Sequence, residues 1–211
     1  MSNENIERKI AVIFATDVVG YSKSMEADEA QTVKNLRACR DILNKLLKKY
    51  EGNIFNTAGD SILVEFSSAV MALEFAAEFQ ANLKKRNESS EPEQQMEFRV
   101  GVNMGDVIKE DGNLYGDGVN IAARLEAIAQ PNGISISKPV YDFVRGKTNF
   151  DYNDLGVQKV KDNNFRVYDV LIDPSHKRKI SKPIHSRNSI IIVAVIMLLL
   201  GSSLFWYSQR Y

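Results

Sequence analysis

Cysteine is nearly missing from this chain of 211 residues: Cys39 is the single one. A disulfide framework and a cysteine zinc site are therefore both excluded within one chain. Cys39 lies in a helical pattern and reads as a small core residue. Acidic residues are missing from the whole end of the chain, since no Asp or Glu follows Asp173. Residues 1–173 thus hold all 27 acids against 21 bases, a net charge of −6, while Lys177, Arg178, Lys179, Lys182, Arg187 and Arg210 lie beyond. An acidic body of this kind does not fit a nucleic-acid binder. An apolar leader is absent too, because residues 1–10 are polar, and no signal peptide is expected.

Two aspartates stand out in what is present. Asp17 follows the run Ile10-Ala11-Val12-Ile13-Phe14, and Asp60 precedes Ile62-Leu63-Val64-Glu65-Phe66. Each sits at the edge of an expected buried strand. Two carboxylates meeting at strand ends are costly to leave unpaired. A divalent cation removes that cost, and hard oxygen ligands suit magnesium or manganese. Val18-Val19-Gly20 is a tight exit from the first strand, where backbone N–H groups could face an anion.

The remaining elements follow from periodicity and punctuation. Residues 1–6 read as a polar tail and 7–14 as the first strand. Val33, Leu36, Cys39, Leu43, Leu46 and Leu47 mark a helix over 28–49, ended by Gly52-Asn53. A hairpin is expected at 53–57 and 61–66, with Ala58-Gly59-Asp60 at its turn. Ser67 or Ser68 caps a helix over about 68–86, and 87–95 reads as a solvated loop. A second strand pair is expected at 96–103 and 106–110, broken at Met104-Gly105. Asp106 reads there as structural. A helix follows at about 119–129, then a strand at 133–137, a helix at 139–145, and strands near 154–160 and 165–171. This order predicts an α+β, ferredoxin-like βαββαβ fold, with a mostly antiparallel sheet and helices on one face.

Residues 7–173 resemble the catalytic domain of class III nucleotidyl cyclases, the adenylate and guanylate cyclase family. The resemblance rests on the segments around Asp17 and Asp60 and on Gly116-Asp117-Gly118-Val119-Asn120-Ile121-Ala122-Ala123-Arg124. It implies conversion of a nucleoside triphosphate to a 3′,5′-cyclic monophosphate and pyrophosphate. It implies two divalent cations, Mg2+ or Mn2+, held by Asp17, Asp60 and the carbonyl of Val18. It also implies a homodimer with active sites at the interface. Asn120 would orient the ribose, and Arg124 would stabilise charge at the α-phosphate. Asn120 and Arg124 stand four apart, on one face of a helix. The bland reading pairs Arg124 with Glu126 or Asp117. Lys161 matches a lysine that holds the terminal phosphates, although Asp162-Asn163-Asn164 replace the glycines around it. Val19 and Gly20 fall among the expected substrate contacts. Asn56 and Asn113 occupy the base-reading positions and match neither the usual ATP nor the usual GTP pattern. ATP is expected from family frequency, with GTP or a pyrimidine triphosphate open. A catalytically degenerate module that binds nucleotide and regulates is the alternative class.

Ser189 to Ser208 is free of charge and about the length a helix needs to cross a bilayer. Residues 174–188 form a basic linker before it, and 209–211 follow it. The basic side predicts a single-pass cell-membrane (inner-membrane) protein with its catalytic domain in the cytoplasm.

Overall fold

β1 (Glu7–Val18) is apolar on both of its sides and organises the fold. Val12, Phe14 and Val18 enter one buried cluster, while Ala11, Ile13 and Ala15 enter another. A strand buried on both faces reads as a continuous apolar run, and this one lies in the interior of the sheet. The computed structural model describes residues 7–160, 163–172 and 177–178. β1 runs four residues further than the sequence predicts and carries Asp17 inside its ladder, opposite Arg99.

After β1 come α1 (Tyr21–Ala27) and α2 (Glu29–Tyr50). The short α1 has no buried residue, so no apolar periodicity announces it. The Asp28 carboxylate caps α2 by accepting from the Gln31 N–H at 3.0 Å. Glu51, at φ 53°, takes the left-handed position that ends α2, and the N–H of Gly52 bonds the Leu47 carbonyl. β2 (Asn53–Ala58) and β3 (Ser61–Phe66) form the expected hairpin, and Ser68 caps α3 (Ala69–Glu88). The segment expected to be a solvated loop is partly built in. Asn87 belongs to α3 and exchanges two hydrogen bonds with the backbone of Met96, and Pro92–Gln94 form one 3-10 turn.

β4 (Phe98–Glu110) is one strand, not the expected pair broken at Met104-Gly105. Its ladder with β1 runs through Gly105, paired with Ala11, without interruption. β5 (Asn113–Tyr115), α4 (Asp117–Ile128), β6 (Ile134–Ser137), α5 (Lys138–Val144), β7 (Asp151–Val160) and β8 (Asn163–Leu171) complete the domain. The sheet order is β2-β3-β1-β4-β6-β8-β7, with β5 paired to β4. Every pairing is antiparallel except β4 with β6.

The helices do not all share one face. α2, α3 and α5 cover the side of Val12 and Phe14, whereas Ala122 of α4 packs on the side of Ala11, Ile13 and Ala15. Small residues make that second contact possible. A Cβ at Gly101 of β4 would stand 2.2 Å from the Glu126 nitrogen and 2.3 Å from the Ala122 carbonyl oxygen. The larger cluster centres on aromatic rings: Phe79 stacks on Phe75 and meets Phe14 and Phe98 edge-on. Phe79→Ala is expected to cost about 3–5 kcal/mol in urea unfolding. A loss below about 1 kcal/mol would contradict a close-packed aromatic centre.

Candidate active site

The two aspartates meet through the backbone. Asp60 follows Gly59, whose φ of 58° turns the β2–β3 hairpin. Its Oδ2 accepts the N–H of Val18 at 3.0 Å, so its carboxylate lies against the peptide that leaves Asp17. Arg40 of α2 donates to the Gly59 carbonyl and holds the same turn from the helix side. Both carboxylates keep access to solvent.

Asp17 is not unpaired. Arg99, its neighbour across the β1–β4 ladder, donates from Nε to Oδ1 at 3.0 Å and from Nη2 to Oδ2. This two-point pairing raises the Arg99 pKa. Arg99 also donates to the carbonyl of Ala127 in the last turn of α4, at 3.2 Å. Glu126 of α4 completes the group, with Oε1 3.3 Å from Arg99 Nη2, in an alignment that leaves that oxygen without a hydrogen bond. Burial pushes its carboxyl up from 4.5 to about 8; Asp17 beside it adds to the rise and Arg99 opposes it. Neither Arg99 nor Glu126 is among the residues expected from the sequence. The available signal is register, since Arg99 lies opposite Asp17 once β1 and β4 are paired.

Val19 differs from expectation, whereas Gly20 does not. The Val18 N–H is taken by Asp60, and the Val19 N–H bonds the Glu97 carbonyl at 2.9 Å. A strand end this well paired has little left for an anion. Only Gly20 of the three has an N–H without a partner among the described residues, and its φ of 69° starts α1.

α4 carries the second group. Asn120 is exposed, and Arg124 is half-buried with no ion pair among the described residues. Its Nη1 is buried and has no hydrogen-bond partner among the described residues. Pairing with Glu126 or Asp117 is therefore not what the fold provides. At about 100° per residue, Arg124 projects about 200° around α4 from Glu126, and Asn120 about 240°. Within one chain, no described hydrogen bond or ion pair joins Asn120 or Arg124 to the aspartates. Asn56 lies opposite Leu63 in the β2–β3 register, just after the bulge at Phe55. The Asn113 amide is occupied locally, donating to the Tyr115 hydroxyl at 3.2 Å and accepting from the Leu114 N–H at 2.9 Å. Asp106 forms an exposed ion pair with Arg8 at 3.3 Å. Lys161 and the apolar segment 189–208 lie outside the described residues. Among the described residues, no helix is long and apolar enough to cross a membrane.

The profile of the family described as "Adenylate and Guanylate cyclase catalytic domain" matches residues 3–171. The chain belongs to this family. It is 44% identical over 162 residues to the Rhizobium meliloti protein named "Putative adenylate cyclase 3", covering 76% of this chain and 28% of that protein. The chain thus spans less than a third of that relative's length. A crystal structure from Silicibacter pomeroyi, titled as an adenylate/guanylate cyclase/hydrolase, superposes with a TM-score of 0.74 at 36% identity. It covers 79% of this chain and 98% of its own. A guanylyl cyclase domain from Blastocladiella emersonii, described as a non-canonical dimer, shares the fold at a TM-score of 0.68 and 23% identity, covering 78% and 98% of the two chains. These likenesses agree with the expected cyclase-domain α+β fold, its mixed sheet flanked by helices.

The acid cluster suits a hard cation: the Asp60 carboxylate lies against the peptide that joins Asp17 to Val18, and Glu126 is pushed toward its neutral form beside Asp17. Among the described residues no three His, Cys, Asp or Glu side chains form a metal-holding group. The donor set that the family resemblance implies, Asp17, Asp60 and the Val18 carbonyl, has only two side-chain acids, and both of these are half-buried. In folded protein Glu126 holds its proton near neutral pH. Its contribution to stability is fully present below about pH 4.5 and lost as pH rises through about 8. The cation-free wild type should therefore lose thermal stability relative to Glu126→Gln between roughly pH 4.5 and roughly pH 8. Parallel melting curves across that range would contradict the burial argument.

Proposed function

We propose that this domain is a nucleotidyl cyclase acting on a nucleoside triphosphate, best matched by ATP. Its active sites are completed between two copies, and residues 189–208 anchor it to the cytoplasmic side of the cell membrane. The observation that carries this reading is Arg124: a buried, unpartnered guanidinium nitrogen on the side of α4 turned away from its own carboxylates. A buried donor without an acceptor is costly, so the position is suited to an anion supplied from outside the chain.

The reaction joins the substrate's 3′-oxygen to its α-phosphorus and breaks the bond from that phosphorus to the pyrophosphate oxygen; the 3′-hydroxyl proton is released. Two divalent cations, magnesium or manganese, held by Asp17, Asp60 and the Val18 carbonyl, would lower the pKa of that hydroxyl and neutralise the triphosphate. Arg99 holds Asp17 in one rotamer and balances its charge beforehand. The Asp60–Val18 bond fixes the second carboxylate relative to the first. Asn120 orients the ribose from the other copy, and Arg124 bonds the α-phosphate oxygens as charge builds on them. Lys161 holds the terminal phosphates. Asn56 is available to read the base, whereas Asn113 must first give up its local bonds.

One observation favours a second reading, a module that binds nucleotide without turnover: both oxygens of Asp17 are already taken by Arg99. The experiment that decides is to supply ATP, GTP, CTP and UTP separately with manganese and identify products by mass spectrometry. A cyclic nucleotide and pyrophosphate are expected from ATP. Asp17→Asn should abolish turnover, and Arg124→Ala should lower kcat by roughly 100- to 1000-fold. Binding with no product from any triphosphate would establish the second reading.

A further inference from the structure

Arg178 lies seven positions beyond the end of β8, outside every group described above. Its guanidinium fills a socket made by three elements. Nε and Nη2 reach the two oxygens of Asp169 on β8, the latter at 2.6 Å, and Nη2 lies 3.4 Å from Ser135 Oγ on β6. Nη1 donates to the carbonyl of Ile128, the last residue of α4, at 3.0 Å. The Arg178 carbonyl accepts from Asn153 Nδ2 on β7 at 3.2 Å. Asp169, Ser135 and Asn153 are all buried, and Ser135 donates to Asp169 Oδ1 at 2.8 Å. A buried carboxylate inside a sheet is expensive unless paired, so this socket is built for a guanidinium.

The bond to α4 gives the socket its consequence. The last carbonyls of a helix lack partners within it and favour a cation. Two arginines divide the end of α4 between them. Arg99 takes the Ala127 carbonyl while holding Asp17, and Arg178 takes the Ile128 carbonyl while holding Asp169. Arg124 stands one helical turn from Ile128. We propose that Arg178 is a positioning residue for the cyclase reaction, seating the C-terminal end of α4 so that Arg124 meets the α-phosphate. This rests on the reading of Arg124 given under the proposed function. It also makes the stretch after β8 part of the catalytic unit.

The test uses the full chain and Arg178→Ala and Arg178→Lys. The alanine variant should lose roughly tenfold or more in kcat, with KM for ATP and the half-saturating manganese concentration each within about twofold of wild type. Lysine should restore part of the loss, because it carries the charge without the fork. Added guanidinium ion should raise the activity of the alanine variant and leave wild type unchanged. A second readout does not depend on turnover: amide exchange in Leu125–Ala129 should quicken in the alanine variant. Unchanged kcat in a folded alanine variant, a rise in KM alone, or unaltered exchange in α4 would overturn the proposal. Should alanine prevent folding, the lysine variant carries the same comparison. If wild type turns over no triphosphate, the cyclase reading fails, while the exchange result still decides whether Arg178 seats α4.

Discussion

The hydrogen bond from the Val18 N–H to Asp60 is the contact on which the site depends. It joins a hairpin turn to the end of an interior strand and fixes two carboxylates 43 positions apart in sequence beside each other. Like charges brought together in this way need compensation. Arg99 supplies part of it by gripping Asp17, and burial, with Asp17 beside it, pushes the Glu126 carboxyl toward its neutral form. The result is a compact acidic group, partly neutralised, with its aspartates still open to solvent. Arg40 backs the turn that carries Asp60, so both halves of the contact are braced.

β1 and α4 explain why this group occurs where it does. An interior strand with apolar side chains on both faces allows one layer of helices behind it and one helix in front. Ala11, Ala15 and Gly101 let α4 lie close against the strands. That closeness brings Glu126 to Asp17 and turns Arg124 outward. On the proposed reading, the same helix closes one half-site and offers the opposite half to a second copy. Among the described residues no hydrogen bond or ion pair joins the two halves within one chain, which is the physical reason for proposing a symmetric pair.

Much of this is legible in the sequence. The run from Ile10 to Phe14 announces a buried strand, which is buried from Ala11 onward, and the helix expected from residue 28 and the cap expected at Ser67 or Ser68 are found with Asp28 and Ser68 as the capping residues. The spacing of Asn120 and Arg124 places them on one helix face, which the fold retains. Other features are not legible, because they depend on partners distant in the chain. Arg99 meets Asp17 across 82 positions, and only the pairing of β1 with β4 creates that contact. Glu126 carries no signal of its unusual environment until α4 is laid over Gly101. Met104-Gly105 resembles a break because glycine weakens a strand pattern, yet here both residues stay in the unbroken ladder with β1. The turn-like sequence at Val19 suggests an anion contact, but its N–H is spent on Glu97 where the strand ends.

Each chain, on this account, contributes two unlike half-sites. Co-expression of Asp17→Asn with Arg124→Ala in one cell tests that most directly. In a symmetric pair with shared sites, half of the dimers are mixed and one of their two sites is intact, so about a quarter of wild-type activity should return. A co-expressed preparation as inactive as either variant alone would contradict the account.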